Sequence, residues 1–194
     1  MKAEQPGGHF HAVRFYEDEN SLCRMVSSFI AEGLALAQPA LIIATKPHLD
    51  RIVANLTAAS IDIDRLKSEG DLLLLDARQM LATFMVDGVP DPDFFHAAAS
   101  SALERVGRGR PTTIRAYGEM VDVLWKDGMT AAAIRLEMLW NRLANTHDFS
   151  LLCGYAMGNF YKDASINEIC QQHTHVIGAG GEAGPSGPKR VVVN

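Results

Sequence analysis

Several common patterns are missing from this sequence, and each absence removes a class of function. It has three cysteines, Cys23, Cys153 and Cys170, far apart and in no CxxC pair. Neither a zinc knuckle nor a disulfide framework is indicated, and a reducing, cytoplasmic setting is expected. Positive charge is in deficit, with 18 Lys and Arg against 23 Asp and Glu and a net charge of −5. That leaves no basic footprint for direct contact with DNA or RNA. No apolar run approaches the roughly 18–20 residues that cross a bilayer, so no membrane partner is expected. The polar start, Met1 to Gly8, lacks the apolar stretch of a signal peptide. There is no G-x-G-x-x-G fingerprint for dinucleotides and no G-x-S-x-G nucleophile elbow.

What remains is ordinary globular material: 194 residues, 47% of them apolar, enough for one domain with a real core. His9–Tyr16 reads as a strand that runs into an acidic turn. A helix follows in which Leu22, Met25, Val26, Phe29 and Ile30 recur at helical spacing. Ala40–Ala44 and Asp71–Asp76 are short apolar runs suited to strands covered on both faces. Further strands are predicted at Thr112–Tyr117, Phe149–Tyr155 and His173–Ile177. Helices are predicted between them, one stopping at Asp87-Gly88, one opening at Pro92, and a last one capped by Ser165 with Glu168. Strands alternating with helices predict an α/β fold, a mainly parallel central sheet with helices on both faces. The predicted organisation is a flexible N-terminus (1–8), one domain (9–177) and a flexible Gly/Pro-rich tail (178–194). The end of that tail, Val191–Val193, either dangles or pairs with a sheet edge.

Ligands of such sheets sit beyond the C-terminal ends of the strands. The first of these junctions reads Tyr16-Glu-Asp-Glu-Asn-Ser21, three carboxylates and no glycine, where a phosphate loop needs glycines, a Lys and a hydroxyl. It would repel a polyphosphate. Candidate ligand contacts at the strand ends are Tyr16, Glu17, Asp18, Tyr117, Glu119, Met120 and Tyr155. Trp125 joins them one helical turn further on. Soft and aromatic side chains near Glu119, Met120 and Trp125 suit the wall of a pocket for a small uncharged molecule. Glu119 itself reads equally as a base, a helix cap or a ligand contact. Cys153, inside an apolar strand, reads as a small core residue. Two His-x-His pairs, His9/His11 and His173/His175, each aim both rings at one strand face. They are weak metal candidates, since no third ligand is spaced to join either pair. No catalytic residue and no cofactor is called for.

Several segments together resemble a known family: His11-Ala-Val-Arg-Phe-Tyr-Glu-Asp18, Phe84-Met-Val-Asp-Gly88, Tyr117-Gly-Glu-Met-Val121, Leu136-Glu-Met-Leu-Trp-Asn141, Phe149-Ser-Leu-Leu-Cys-Gly-Tyr155 and His173-Thr-His-Val176. In order and spacing they are similar to the MEDS domain (methanogen/methylotroph DcmR sensory domain) over residues 9–177. The resemblance implies a RecA/KaiC-like core that has lost its P-loop and a sensory, non-enzymatic role toward small halogenated or other hydrocarbons. It also implies output through a regulatory protein such as a histidine kinase or transcription factor. With no kinase or helix-turn-helix segment after the domain, a stand-alone member is expected, and a homodimer is one arrangement open to it. Two other readings stay open. One is an enzyme or nucleotide binder with an altered RecA-like site in which Glu17, Asp18 and Glu119 hold a divalent ion. The other is a ligand-free interaction module.

Overall fold

The computed structural model describes residues 10–157, 165–177 and 183–185. His9, Val191–Val193 and the side chain of Ser165 lie outside the described residues. β1 (His11–Tyr16) is followed by α1 (Glu19–Ala35), β2 (Ala40–Ala44), α2 (Lys46–Ala58), α3 (Ile63–Glu69), β3 (Leu72–Asp76) and α4 (Ala77–Ala82). A hairpin, β4 (Met85–Val86) with β5 (Val89–Pro90), precedes α5 (Pro92–Arg105) and β6 (Ile114–Gly118). Then come α6 (Met120–Lys126), α7 (Thr130–Leu143), β7 (Phe149–Ala156), α8 (Ser165–Gln172), β8 (His175–Ile177) and β9 (Ala183–Pro185).

The sheet has seven strands in the order β3-β2-β6-β7-β1-β8-β9. All neighbours are parallel except β8 and β9. Alternation along the strands divides the core in two. Val13, Leu41, Ile43, Leu151 and Cys153 face α4–α8, whereas Ala12, Tyr16, Ile42, Tyr117 and Leu152 face α1–α3. β2, Ala-Leu-Ile-Ile-Ala, is buried at every position because it lies inside the sheet with helices over both faces. Among the described residues no helix is long and apolar enough to cross a membrane.

The structure adds α3, which the sequence reading did not place, and departs from that reading ahead of Pro92. The helix expected to run to Asp87-Gly88 ends at Ala82, and these two residues form the turn of the β4–β5 hairpin with positive φ values of 51° and 78°. Asp-Gly is the pair that such a two-residue turn favours. Ala183–Pro185 forms β9, antiparallel to β8. β8 would otherwise expose a row of unpaired backbone groups, and strand pairing satisfies them whatever the side chains are.

Candidate functional site

At the C-terminal end of β1 the acidic run is divided among three tasks. Asp18 is the N-cap of α1, and its carboxylate accepts from the backbone N–H groups of Asn20 (3.2 Å) and Ser21 (2.8 Å). Those bonds, the Ser21 one foremost, hold its carboxyl below the usual carboxylate range. A helix N-terminus offers these same donors to phosphate in a nucleotide-binding protein. Here the chain's own carboxylate fills the place. Glu17 is exposed. Glu19 turns toward α2, with a carboxylate oxygen 3.7 Å from both His48 Nε2 and Arg51 NH1.

Two buried carboxylates organise the rest of this edge. Glu119, at the end of β6 and 1% exposed, accepts from the Thr45 N–H (2.9 Å), the Thr45 hydroxyl (3.1 Å) and His48 Nδ1 (2.9 Å). It thereby fastens β6 to the β2–α2 junction. Asp122, fully buried in α6, accepts from the Tyr16 hydroxyl (2.8 Å) and the Ala156 N–H (2.9 Å), and pairs with Lys126 at 2.8 Å. It ties the ends of β1 and β7 to α6. Burial and the Asp122 charge push the Tyr16 hydroxyl far up, so it stays protonated, donating to Asp122 while its oxygen accepts from Lys126 Nζ at 2.9 Å. The alternative ion site of Glu17, Asp18 and Glu119 does not converge, because Asp18 caps α1 while Glu119 faces Thr45 and His48.

His48 makes this edge sensitive to pH. Its hydrogen bond to Glu119 raises its pKa against the opposing effect of burial. A raised pKa in the folded state means the fold binds the proton more tightly than the unfolded chain. This contribution to stability is therefore complete below about pH 6.5 and is lost as the pH rises through the raised value. The urea midpoint is expected to fall between about pH 6 and about pH 8. His48→Gln should flatten that slope, and an equal slope in the variant would count against the assignment.

A second polar cluster lies inside the core beneath the α7 face of the sheet. Glu137 of α7 is fully buried and accepts from the Tyr155 hydroxyl at 2.8 Å. Its other neighbours are His11 Nε2 (3.2 Å), His173 Nε2 (3.4 Å) and the Cys153 thiol (3.6 Å). The rings of His11 and His173 lie 4.2 Å apart between centroids. Burial works to raise the Glu137 carboxyl, but its two histidine neighbours, His173 foremost, outweigh burial and hold it below the usual carboxylate range, so it stays ionised. Burial pushes His11 down toward its neutral form and the Cys153 thiol well up. The sequence reading paired each histidine with its neighbour two residues away. In the fold one member of each pair meets the other instead, and His175 turns away to stack on Phe10 at 4.8 Å.

The sequence-predicted contacts thus fall into separate environments. Met120, Trp125 and Tyr155 are packed in the core on the α7 side, with Trp125 edge-on to Tyr155 at 5.7 Å. Tyr16 and Tyr117 lie in the core on the opposite face of the sheet. Gly154 makes room there, since a Cβ at that position would meet the Tyr117 hydroxyl and a Leu22 methyl, each at 3.1 Å. Among the described residues, none of these lines either of two surface cavities. The first, about 510 Å³, is an open groove between the hairpin and α7, lined by Val89, Met129, Ala131, Ile134, Arg135 and Met138 among others. The second, about 290 Å³, lies between α4 and α5. Sequence reasoning missed His48, Asp122 and Glu137. His48 and Asp122 each fall within five residues of a predicted strand end, and Glu137 lies in the Leu136–Asn141 segment that carries the family resemblance; these were the available signals.

The model of the MEDS family, described as the MEthanogen/methylotroph, DcmR Sensory domain, matches residues 10–174. No curated protein matches the sequence. Among solved structures the chain is similar to a KaiC-like protein from the hyperthermophilic archaeon Pyrococcus horikoshii OT3. The TM-score is 0.60 at 12% identity, over 88% of this chain and 73% of that one. At that identity the likeness concerns the fold, which is KaiC- and RecA-like.

Proposed function

The chain belongs to the MEDS sensory-domain family, and from that premise we propose that it senses a small apolar molecule without chemical turnover. It passes its binding state to a regulatory protein of the histidine-kinase or transcription-factor kind. The observation that carries this reading is the capping of α1 by Asp18. In a KaiC-like fold the helix N-terminus after β1 is the natural seat of a phosphate, and a fixed carboxylate there repels one. The groove between the hairpin and α7 supports an apolar ligand. Its volume of about 510 Å³ suits a small molecule, and Met129 and Met138 give its wall an adaptable surface. Arg135 fastens α7 to the hairpin through the Pro90 carbonyl at 3.0 Å. An occupant that favours one spacing of these two elements would therefore shift a conformational equilibrium.

A thermal-shift and calorimetric screen tests this reading. Short haloalkanes, alkanols and alkenes are expected to include a binder that stabilises the fold by about 2.7 kcal/mol at a hundredfold excess over its Kd. Met138→Glu, which places a charge in the groove, should abolish that response. ATP with Mg²⁺ at millimolar concentration should give none. Saturable ATP binding would return the assignment to a nucleotide-dependent protein, and silence from every apolar class would leave an interaction module in its place.

A further inference from the structure

The geometry points to the buried cluster of His11, Glu137, Cys153 and His173 as a closed binding site for one divalent transition-metal ion of the zinc type. Their ligand atoms all lie within 4.8 Å of one another. Glu137 Oε2, His11 Nε2 and the Cys153 sulfur lie 3.2, 3.4 and 3.6 Å from one another, and His173 Nε2 lies 3.4 Å from the other carboxylate oxygen, Oε1. Nitrogen, oxygen and sulfur ligands at zinc bond lengths occupy tetrahedron corners about 3.3–3.6 Å apart. The cluster therefore needs no large movement to close around an ion.

The outer contacts of the histidines fix which nitrogen faces the centre. His173 Nδ1 lies 2.7 Å from the Ile169 carbonyl, which only accepts, so Nδ1 carries the proton. Asn141 donates its amide N–H to the Gln172 carbonyl at 2.8 Å, which leaves its oxygen facing His11 Nδ1, also at 2.8 Å. His11 Nδ1 is then the donor as well. His11 Nε2 faces the Glu137 carboxylate and the Cys153 thiol, and His173 Nε2 faces the carboxylate; a metal-binding histidine is oriented in this way by its second nitrogen. The Tyr155 hydroxyl binds Glu137 Oε1 and leaves Oε2 toward His11 and Cys153.

The charges match a divalent ion. Two neutral imidazoles, one carboxylate and one thiolate carry −2 together, which such an ion cancels inside the core, so no net charge is left there without water. On binding, the Cys153 S–H bond is replaced by a sulfur–metal bond, and that proton leaves to solvent. With four protein ligands, all buried, no position is left for water or substrate, so the site is structural or regulatory rather than catalytic. It clips β1, β7, α7 and the connection from α8 to β8 together. It stands independently of the apolar-ligand reading.

The full chain, carrying no affinity tag and stripped by a chelator, is titrated with Co²⁺ and then Zn²⁺. One equivalent of Co²⁺ should produce intense visible bands of a tetrahedral centre and a near-ultraviolet thiolate-to-cobalt band, both erased by one equivalent of Zn²⁺. Cys153→Ser should lose the thiolate band, His173→Gln should lower Zn²⁺ affinity at least about tenfold, and Asn141→Ala should lower it about 10–100-fold with all four ligands retained. Absence of a thiolate band in the native chain overturns the site, as does a band that persists unchanged in Cys153→Ser. Should Cys153→Ser fail to fold, the native spectrum and His173→Gln decide the matter, and native-like affinity in His173→Gln rejects the site.

Discussion

Replacing Glu137 with alanine is expected to lower the free energy of unfolding by about 3–5 kcal/mol, the range for removing one member of a buried, paired charge cluster. The carboxylate is fully buried and faces Tyr155, His11, His173 and Cys153. Truncation leaves the Tyr155 hydroxyl without its acceptor in the core, and each such orphan costs about 1–3 kcal/mol. It also opens a void against which α7 cannot easily collapse, because Trp140 on the same helix is held edge-on by Phe95 at 5.1 Å and Phe149 at 5.8 Å. Glu137→Gln keeps the shape and an acceptor for Tyr155, so about half the loss is expected. Urea unfolding of chelator-treated protein with an unchanged m-value measures both. A loss under about 1 kcal/mol in the alanine variant would show the cluster to be incidental to the fold.

The second large effect is expected at the strand ends. Asp122→Ala should cost about 2–4 kcal/mol, since it deprives the Ala156 N–H and the Tyr16 hydroxyl of their acceptor and the half-exposed Lys126 ammonium of its partner. Asp122→Asn, which still accepts from Ala156, should lose about half as much. A readout specific to this role is amide hydrogen exchange at Ala156, which should speed up in the alanine variant before global unfolding does. Unchanged protection at that amide would mean that Asp122 does not fasten β7 to α6.

The architecture was legible because it rests on local signals. Ala40–Ala44 and Asp71–Asp76 read as covered strands from their apolar runs; β2 is covered on both faces, whereas β3 lies at the sheet edge and is half-buried beyond Leu72. The helical spacing of Leu22, Val26 and Ile30 placed α1. Asp87-Gly88 was misjudged because one dipeptide both stops helices and turns hairpins, and only the pairing of Met85 with Pro90 distinguishes the two. The short α3 left little periodicity to find. The strand ends were singled out as ligand-contact positions, and in the fold they hold the hydrogen bonds of Glu119 and Asp122. Their partners were not foreseen, because Glu119 reaches His48 across 71 positions of chain and Tyr16 reaches Asp122 across 106.

Composition and pattern alone determined that a parallel sheet would form and that its first turn would carry three carboxylates and no glycine. Alternation, helical spacing and three adjacent carboxylates act over a few residues and need no distant partner to be read. Which histidines meet was decided only by tertiary structure. His11 and His173 adjoin because β8 pairs with β1, and Glu137 and Cys153 join them because α7 packs over β7. Strand order and helix packing are long-range outcomes of burying two apolar faces at once, so the four residues hold their common centre by topology and not by spacing along the chain.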